Sequence, residues 1–227
     1  MKTALTNAAI FTGSETLKGK AVLIKDKKID GITDPASIPI DYEIIDCDGN
    51  YLSPGLIDLQ IAGGGGYLFS ANPTPEALKA ITEAIAGSGT TGFLIAIPTN
   101  TLDVYREVIR VVKENPHPSI LGLHIEGPYI STFRRGAHIK EYIKLPKREE
   151  IEALIAEAGG VVKMLTVAPE VCNSEIIKLL NENGIDSEPS GAAGLALYIK
   201  RFKNRLIDAK KKIVIVNTGN GFAKQLQ

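Results

Sequence analysis

The segment Leu121-Gly-Leu-His-Ile-Glu-Gly-Pro-Tyr129 places a carboxylate, Glu126, at the tip of a short apolar run that stops at Gly127-Pro128. A carboxylate at a strand end can hold a divalent metal ion, which in turn can activate water. The other reading is a carboxylate satisfied by nearby backbone. His124 lies two residues earlier, and strand alternation puts it on the same face. Packing or hydrogen-bonded support for Glu126 suits it better than direct ligation. His138 follows in Arg134-Arg-Gly-Ala-His138, a loop directly after this run. It is either a surface histidine or a ligand contact. The two arginines are either solvated surface or an attraction for an anion such as phosphate.

Other strand ends offer further groups: Asp58 and Gln60, then Pro98-Thr-Asn100, then Thr166 with Glu170. Gly63-Gly-Gly-Gly66 superficially suggests a phosphate cradle. It lacks the Lys-Ser/Thr ending of a phosphate-binding loop and reads as a tight turn.

The elements that must position these groups fall into two textures. Residues 1–52 form a small β domain, with short runs at Ala8–Thr12, Ala21–Ile24 and Tyr42–Ile45 and a polar hairpin connection at Lys25–Lys28. From Ser53, apolar strands alternate with amphipathic helices. Strands are expected at 55–61, 92–97, 120–125 and 161–167, the last stopped by Pro169. Helices are expected from Thr74-Pro75 to Ala86, from Thr101 or Asp103 onward, over 146–157, and from a Ser174 cap to Asn183-Gly184. Strands apolar on both faces, each followed by a helix, indicate a parallel sheet covered by helices. The fold class is α/β: a partial TIM-type (β/α) barrel, residues 53–185, beside a small β-sandwich-like domain. Residues 187–194 are small and turn-like, 195–206 read as a basic-faced helix, and 212–217 as a strand entering Thr218-Gly-Asn-Gly221.

With 26 basic and 26 acidic residues among 227, the chain is not a general nucleic-acid binder. Cys47 and Cys172 form no CxxC pair and read as reduced structural thiols. No secretory segment follows Met1, and no apolar run approaches the ~20 residues of a membrane span, so the cytoplasm is expected.

Four motifs stand in order: Leu52-Ser-Pro-Gly-Leu-Ile-Asp-Leu-Gln60, Gly122-Leu-His-Ile-Glu-Gly-Pro-Tyr129, Arg135-Gly-Ala-His138 and Val167-Ala-Pro-Glu170. Together they resemble the N-acetylglucosamine-6-phosphate deacetylases of the amidohydrolase superfamily, from the N-terminus to about Ile185. The resemblance implies a cytoplasmic metal-dependent hydrolase of amino-sugar catabolism, often a homodimer. Its substrate would be a small amino-sugar phosphate, from which a metal-bound water releases acetate. It implies Glu126 as metal ligand, Ala137 and His138 as substrate contacts, and one divalent ion, zinc or iron. Gln60 and Ala62 stand where many amidohydrolases carry His-x-His, which disfavours a second metal; Gln60 and His124 are then supporting residues. The histidine ligands expected from later strands and the catalytic aspartate have no counterpart here, and no histidine follows His138. The alternative is therefore a truncated or chimeric fragment without activity. Residues 186–227 resemble instead the C-terminal end of threonine synthase-like pyridoxal-phosphate enzymes. The segment that would carry the Schiff-base lysine is absent, so no pyridoxal phosphate is expected and Gly219 and Gly221 read as a structural turn.

Overall fold

The computed structural model describes residues 1–168 and 170–189. The chain divides into two compact units, Met1–Leu56 and Ile57 onward.

The first unit is all β. Its strands are β1 (Lys2–Thr6), β2 (Ala9–Phe11), β3 (Thr16–Leu17), β4 (Ala21–Lys25), β5 (Lys28–Thr33), β6 (Glu43–Asp46) and β7 (Tyr51–Leu52). They form a four-stranded sheet, β5-β4-β1-β6, and a three-stranded sheet, β3-β2-β7. Ala8, Ile10 and Val22 are buried together, with Leu5, Leu17, Ile24 and Leu52 packed around them. This shared core draws on both sheets, as a small sandwich requires. The Lys25–Lys28 hairpin is as expected, with Asp26 and Lys27 both at positive φ, the conformation a two-residue hairpin turn demands. Strands β1, β3, β5 and β7 lie beyond the expected set. Their polar residues, as in Lys28-Ile-Asp-Gly-Ile-Thr33, hide the alternation that would mark them.

The second unit opens with β8 (Leu56–Ile61), whose first residue belongs to the first unit, followed by β9 (Gly63–Gly64) and β10 (Tyr67–Leu68). The glycine run is a hairpin. Gly63-Gly64 pairs antiparallel with Tyr67-Leu68, and Gly65 and Gly66 turn the chain at φ 58° and 85°. The (β/α) rhythm follows: α1 (Pro75–Ala86), β11 (Thr90–Pro98), α2 (Leu102–Glu114), β12 (Ile120–Glu126), α3 (Arg148–Ala158), β13 (Val162–Val167), α4 (Ser174–Glu182) and β14 (Asp186–Pro189). Thr74 caps α1 by accepting the Ala77 N–H, and Thr101 caps α2 by accepting the Val104 N–H. Helix α4 is capped by Asn173 rather than Ser174, since its Oδ1 accepts the Ile176 N–H at 3.0 Å.

The sheet order is β14-β13-β12-β11-β8. β11, β12, β13 and β14 pair in parallel. Residues 187–189, the start of the segment expected to be turn-like, instead join Asp186 in a strand along Met164–Val167. The polar sequence Asp-Ser-Glu-Pro carries no strand pattern, and pairing with β13 overrides its local preference. Phe93, Ile95, Ile97, Leu123, Ile125 and Leu165 are fully or almost fully buried beneath α1–α4. The architecture is the parallel half of a barrel. No helix among the described residues is long and apolar enough to cross a membrane. Pro169 and the features expected at 190–227, including the pyridoxal-phosphate-like resemblance and the Gly219–Gly221 turn, lie outside the described residues.

Candidate active site

Glu126 is the last residue of β12 and pairs in register with Pro98 on β11 and Thr166 on β13. Its carboxylate is mostly buried, with 19% of the side chain exposed. Gln60, near the end of β8, donates from Nε2 to Glu126 Oε1 at 2.6 Å. On the other side, His138 Nε2 lies 3.7 Å from Glu126 Oε2. Three of the residues singled out from sequence are thus brought together, from positions up to 78 residues apart along the chain (60 to 138).

The loop carrying His138 is shaped by its own turn. The His138 N–H donates to the Arg135 carbonyl at 3.1 Å, and Arg135 Nη1 donates back to the His138 carbonyl at 2.6 Å. That guanidinium is engaged in holding the loop. Arg134 and Ala137 are exposed beside it. The hydroxyl of Thr99, just past β11, donates to the Glu126 carbonyl at 2.8 Å, and its backbone N–H donates to His138 Nδ1 at 3.3 Å. Thr99 was legible only as a residue at a strand end; its role comes from contacts 27 and 39 positions away in sequence.

His124 makes no bond to Glu126. It is 2% exposed and spans the sheet. Its Nδ1–H donates to the Leu59 carbonyl at 3.0 Å, and the Thr166 hydroxyl donates to Nε2 at 2.7 Å in the neutral ring. It therefore fixes β8, and so Gln60, against β12 and β13. Asp58 accepts the Gln60 backbone N–H at 2.9 Å, tightening the same strand end. Glu170 is exposed.

Tyr105 lies buried below the site, its hydroxyl oxygen accepting the Asn100 N–H at 2.9 Å. Burial pushes this phenol well above its ordinary range, and the negative charge of Glu126 adds to the rise. On the far side of the loop, Tyr129 donates to Glu150 at 3.1 Å, and Lys144 pairs with the same carboxylate at 2.6 Å. Burial again raises the Tyr129 phenol, with the Glu150 charge acting in the same direction. These bonds moor the loop at both ends.

Residues 3–52 match the N-terminal NagA composite domain. The N-acetylglucosamine-6-phosphate deacetylase of Haemophilus influenzae is 35% identical over 173 residues, 75% of this chain and 45% of that protein. The crystal structure of the Pasteurella multocida enzyme of the same name superposes with a TM-score of 0.79 at 30% identity, covering 88% of this chain and 55% of that one. A Mycobacterium smegmatis mutant enzyme, solved in complex with N-acetyl-D-glucosamine 6-phosphate, gives 0.68 at 27% identity over 82% of this chain and 49% of that one. Over about three quarters of its length this chain is therefore similar to the N-acetylglucosamine-6-phosphate deacetylases, and it spans about half the length of the curated relatives it matches.

Proposed function

We propose that this chain carries the first half of an N-acetylglucosamine-6-phosphate deacetylase site, the metal-dependent amide hydrolase that releases acetate and glucosamine 6-phosphate. The observation that supports this most is the convergence of Gln60, Glu126 and His138 at one end of a half-barrel homologous to such enzymes. In this reading, residues 1–52 are the small β domain and 53–185 the first half of the barrel. The protein works in the cytoplasm, and its expected assembly is a homodimer.

Hydrolysing an amide requires a polarised water, a group to take its proton and an anchor for the substrate. Glu126 is the proposed ligand of one divalent ion, zinc or iron, with Gln60 orienting its carboxylate. His138 and Ala137 are the proposed contacts of the sugar phosphate, and His124 holds the strands in place. A catalytic metal usually takes about three protein ligands. Among the described residues, no three His, Cys, Asp or Glu side chains converge on one point. The chain has three histidines in all. His124 is engaged with Leu59 and Thr166, and His117 accepts the Ser119 N–H. Among the described residues the donor set does not complete a metal centre by itself. This favours a second reading, in which the polypeptide binds the sugar phosphate without turning it over.

Isothermal titration with N-acetylglucosamine 6-phosphate tests the binding role. His138→Ala is expected to weaken binding about tenfold, the loss of one good polar contact. Equal affinity in the variant, or no binding by the parent protein, contradicts the proposal.

A further inference from the structure

We propose that Thr99 is the positioning residue of this site: it sets the proton of His138 on Nε2 and clamps the backbone that carries Glu126. The inference rests on the reading of Glu126 and His138 as site residues, and three observations carry it. The first is the bond from the Thr99 backbone N–H to His138 Nδ1. A backbone N–H can only donate, so Nδ1 presents its lone pair and the neutral ring carries its hydrogen on Nε2. The second is the Thr99 hydroxyl, which donates to the Glu126 carbonyl at 2.8 Å, with Thr99 2% exposed. The third is Gly127, at φ 92°, where an added Cβ would fall 2.2 Å from Thr99 Oγ1. Glycine at that position leaves the space the hydroxyl occupies.

The chemical consequence follows from the proton. His138 Nε2 faces Glu126 Oε2 across 3.7 Å, too far for a direct hydrogen bond. A ligand oxygen near both groups would meet a donor on the histidine side. A ring nitrogen that keeps its hydrogen does not ligate a metal, since ligation needs the lone pair. Thr99 thus assigns His138 to hydrogen-bond donation and leaves Glu126 as the metal-directed group. His124 is the opposite case within the same molecule. There the acceptor on Nδ1 is the Leu59 carbonyl, so its hydrogen sits on Nδ1.

The test is the ring ¹⁵N spectrum of the ligand-free protein without added metal, at about pH 8.5, where an ordinary imidazole is neutral. The parent protein is expected to show His138 protonated on Nε2 and His124 on Nδ1. Thr99→Ser, which keeps the hydroxyl, is expected to retain this signature. Thr99→Val, which removes the hydroxyl at nearly constant shape, is expected to release the end of β12 and give His138 a mixture of tautomers. Nδ1 protonation of His138 in the parent protein overturns the tautomer assignment, and a Thr99→Val spectrum identical to the parent's overturns the clamp by the hydroxyl. If Thr99→Val does not fold, the parent and Thr99→Ser spectra decide: Nε2 protonation in both upholds the assignment, and Nδ1 protonation in either overturns it. The measurement needs neither substrate nor turnover, so it stays readable if the deacetylase reading fails.

Discussion

Gln60 on β8 and Glu126 on β12 are joined by a side-chain hydrogen bond of 2.6 Å across 66 positions of sequence. The bond ties the first strand of the half-barrel to the carboxylate at its centre. It also uses one of the two carboxylate oxygens, leaving Oε2 toward His138.

Replacing Gln60 separates these effects. Gln60→Ala is expected to cost about 0.5–1.5 kcal/mol, the net worth of one hydrogen bond at a partly exposed place. Gln60→Glu sets two carboxylates against each other and is expected to cost more at neutral pH. The sign follows from the repulsion. The pair holds a proton more tightly when folded, so the deficit shrinks as pH falls through the carboxylate range. Urea unfolding at pH 7 and below about pH 4.3 checks this. A deficit that grows on acidification contradicts it.

Gly127→Ala is expected to destabilise the fold by about 1–3 kcal/mol, as overpacking does, because its Cβ collides with the Thr99 hydroxyl. Gly136→Ala is the control: it has positive φ but open space around it, and conformational strain alone costs about 1–2 kcal/mol. The two denaturation midpoints should differ, with Gly127→Ala the lower. Equal midpoints would mean that the Thr99 hydroxyl does not occupy that space.

His124→Leu is expected to cost on the order of 2–4 kcal/mol, since it leaves the Leu59 carbonyl and the Thr166 hydroxyl without their shared partner. Chemical denaturation reads this directly, and an unchanged midpoint would remove His124 as the strut between β8 and β13.

Cys172 is 5% exposed, and burial pushes its thiol up to about 11 from 9.0. The folded state therefore holds this proton more tightly than the unfolded chain. The resulting stability is complete below about pH 9 and is lost as pH rises toward about 11. Alkylation of the native protein should label Cys47 well before Cys172. Faster labelling of Cys172 contradicts its burial.

Much of this architecture was legible because local chemistry marked it. Thr74-Pro75 announces the start of α1, and the apolar run ending at Gly127-Pro128 announces β12 and its terminal carboxylate. Glu126 stands out in the sequence because it lies between an apolar run and the Gly127-Pro128 stop. What could not be read was long-range. Nothing local pairs Gln60 with Glu126, and Thr99 acts through a backbone N–H that every residue but proline carries. Asn173 and Ser174 are both good caps, and only the backbone geometry chooses between them. β14 escaped because Asp186–Pro189 takes its conformation from pairing with β13.

We propose that the chain holds a sugar-phosphate half-site that binds without completing the chemistry. One proton NMR time course tests it most directly, with the 227-residue protein, added zinc or iron, and N-acetylglucosamine 6-phosphate. The His138 ring signals are expected to move on addition of the sugar phosphate while no acetate methyl signal grows, because a site that lacks part of a group acting as a unit is not rescued by the rest. Acetate that accumulates with the parent protein and fails to appear with Glu126→Gln would contradict it, as would His138 signals that stay still.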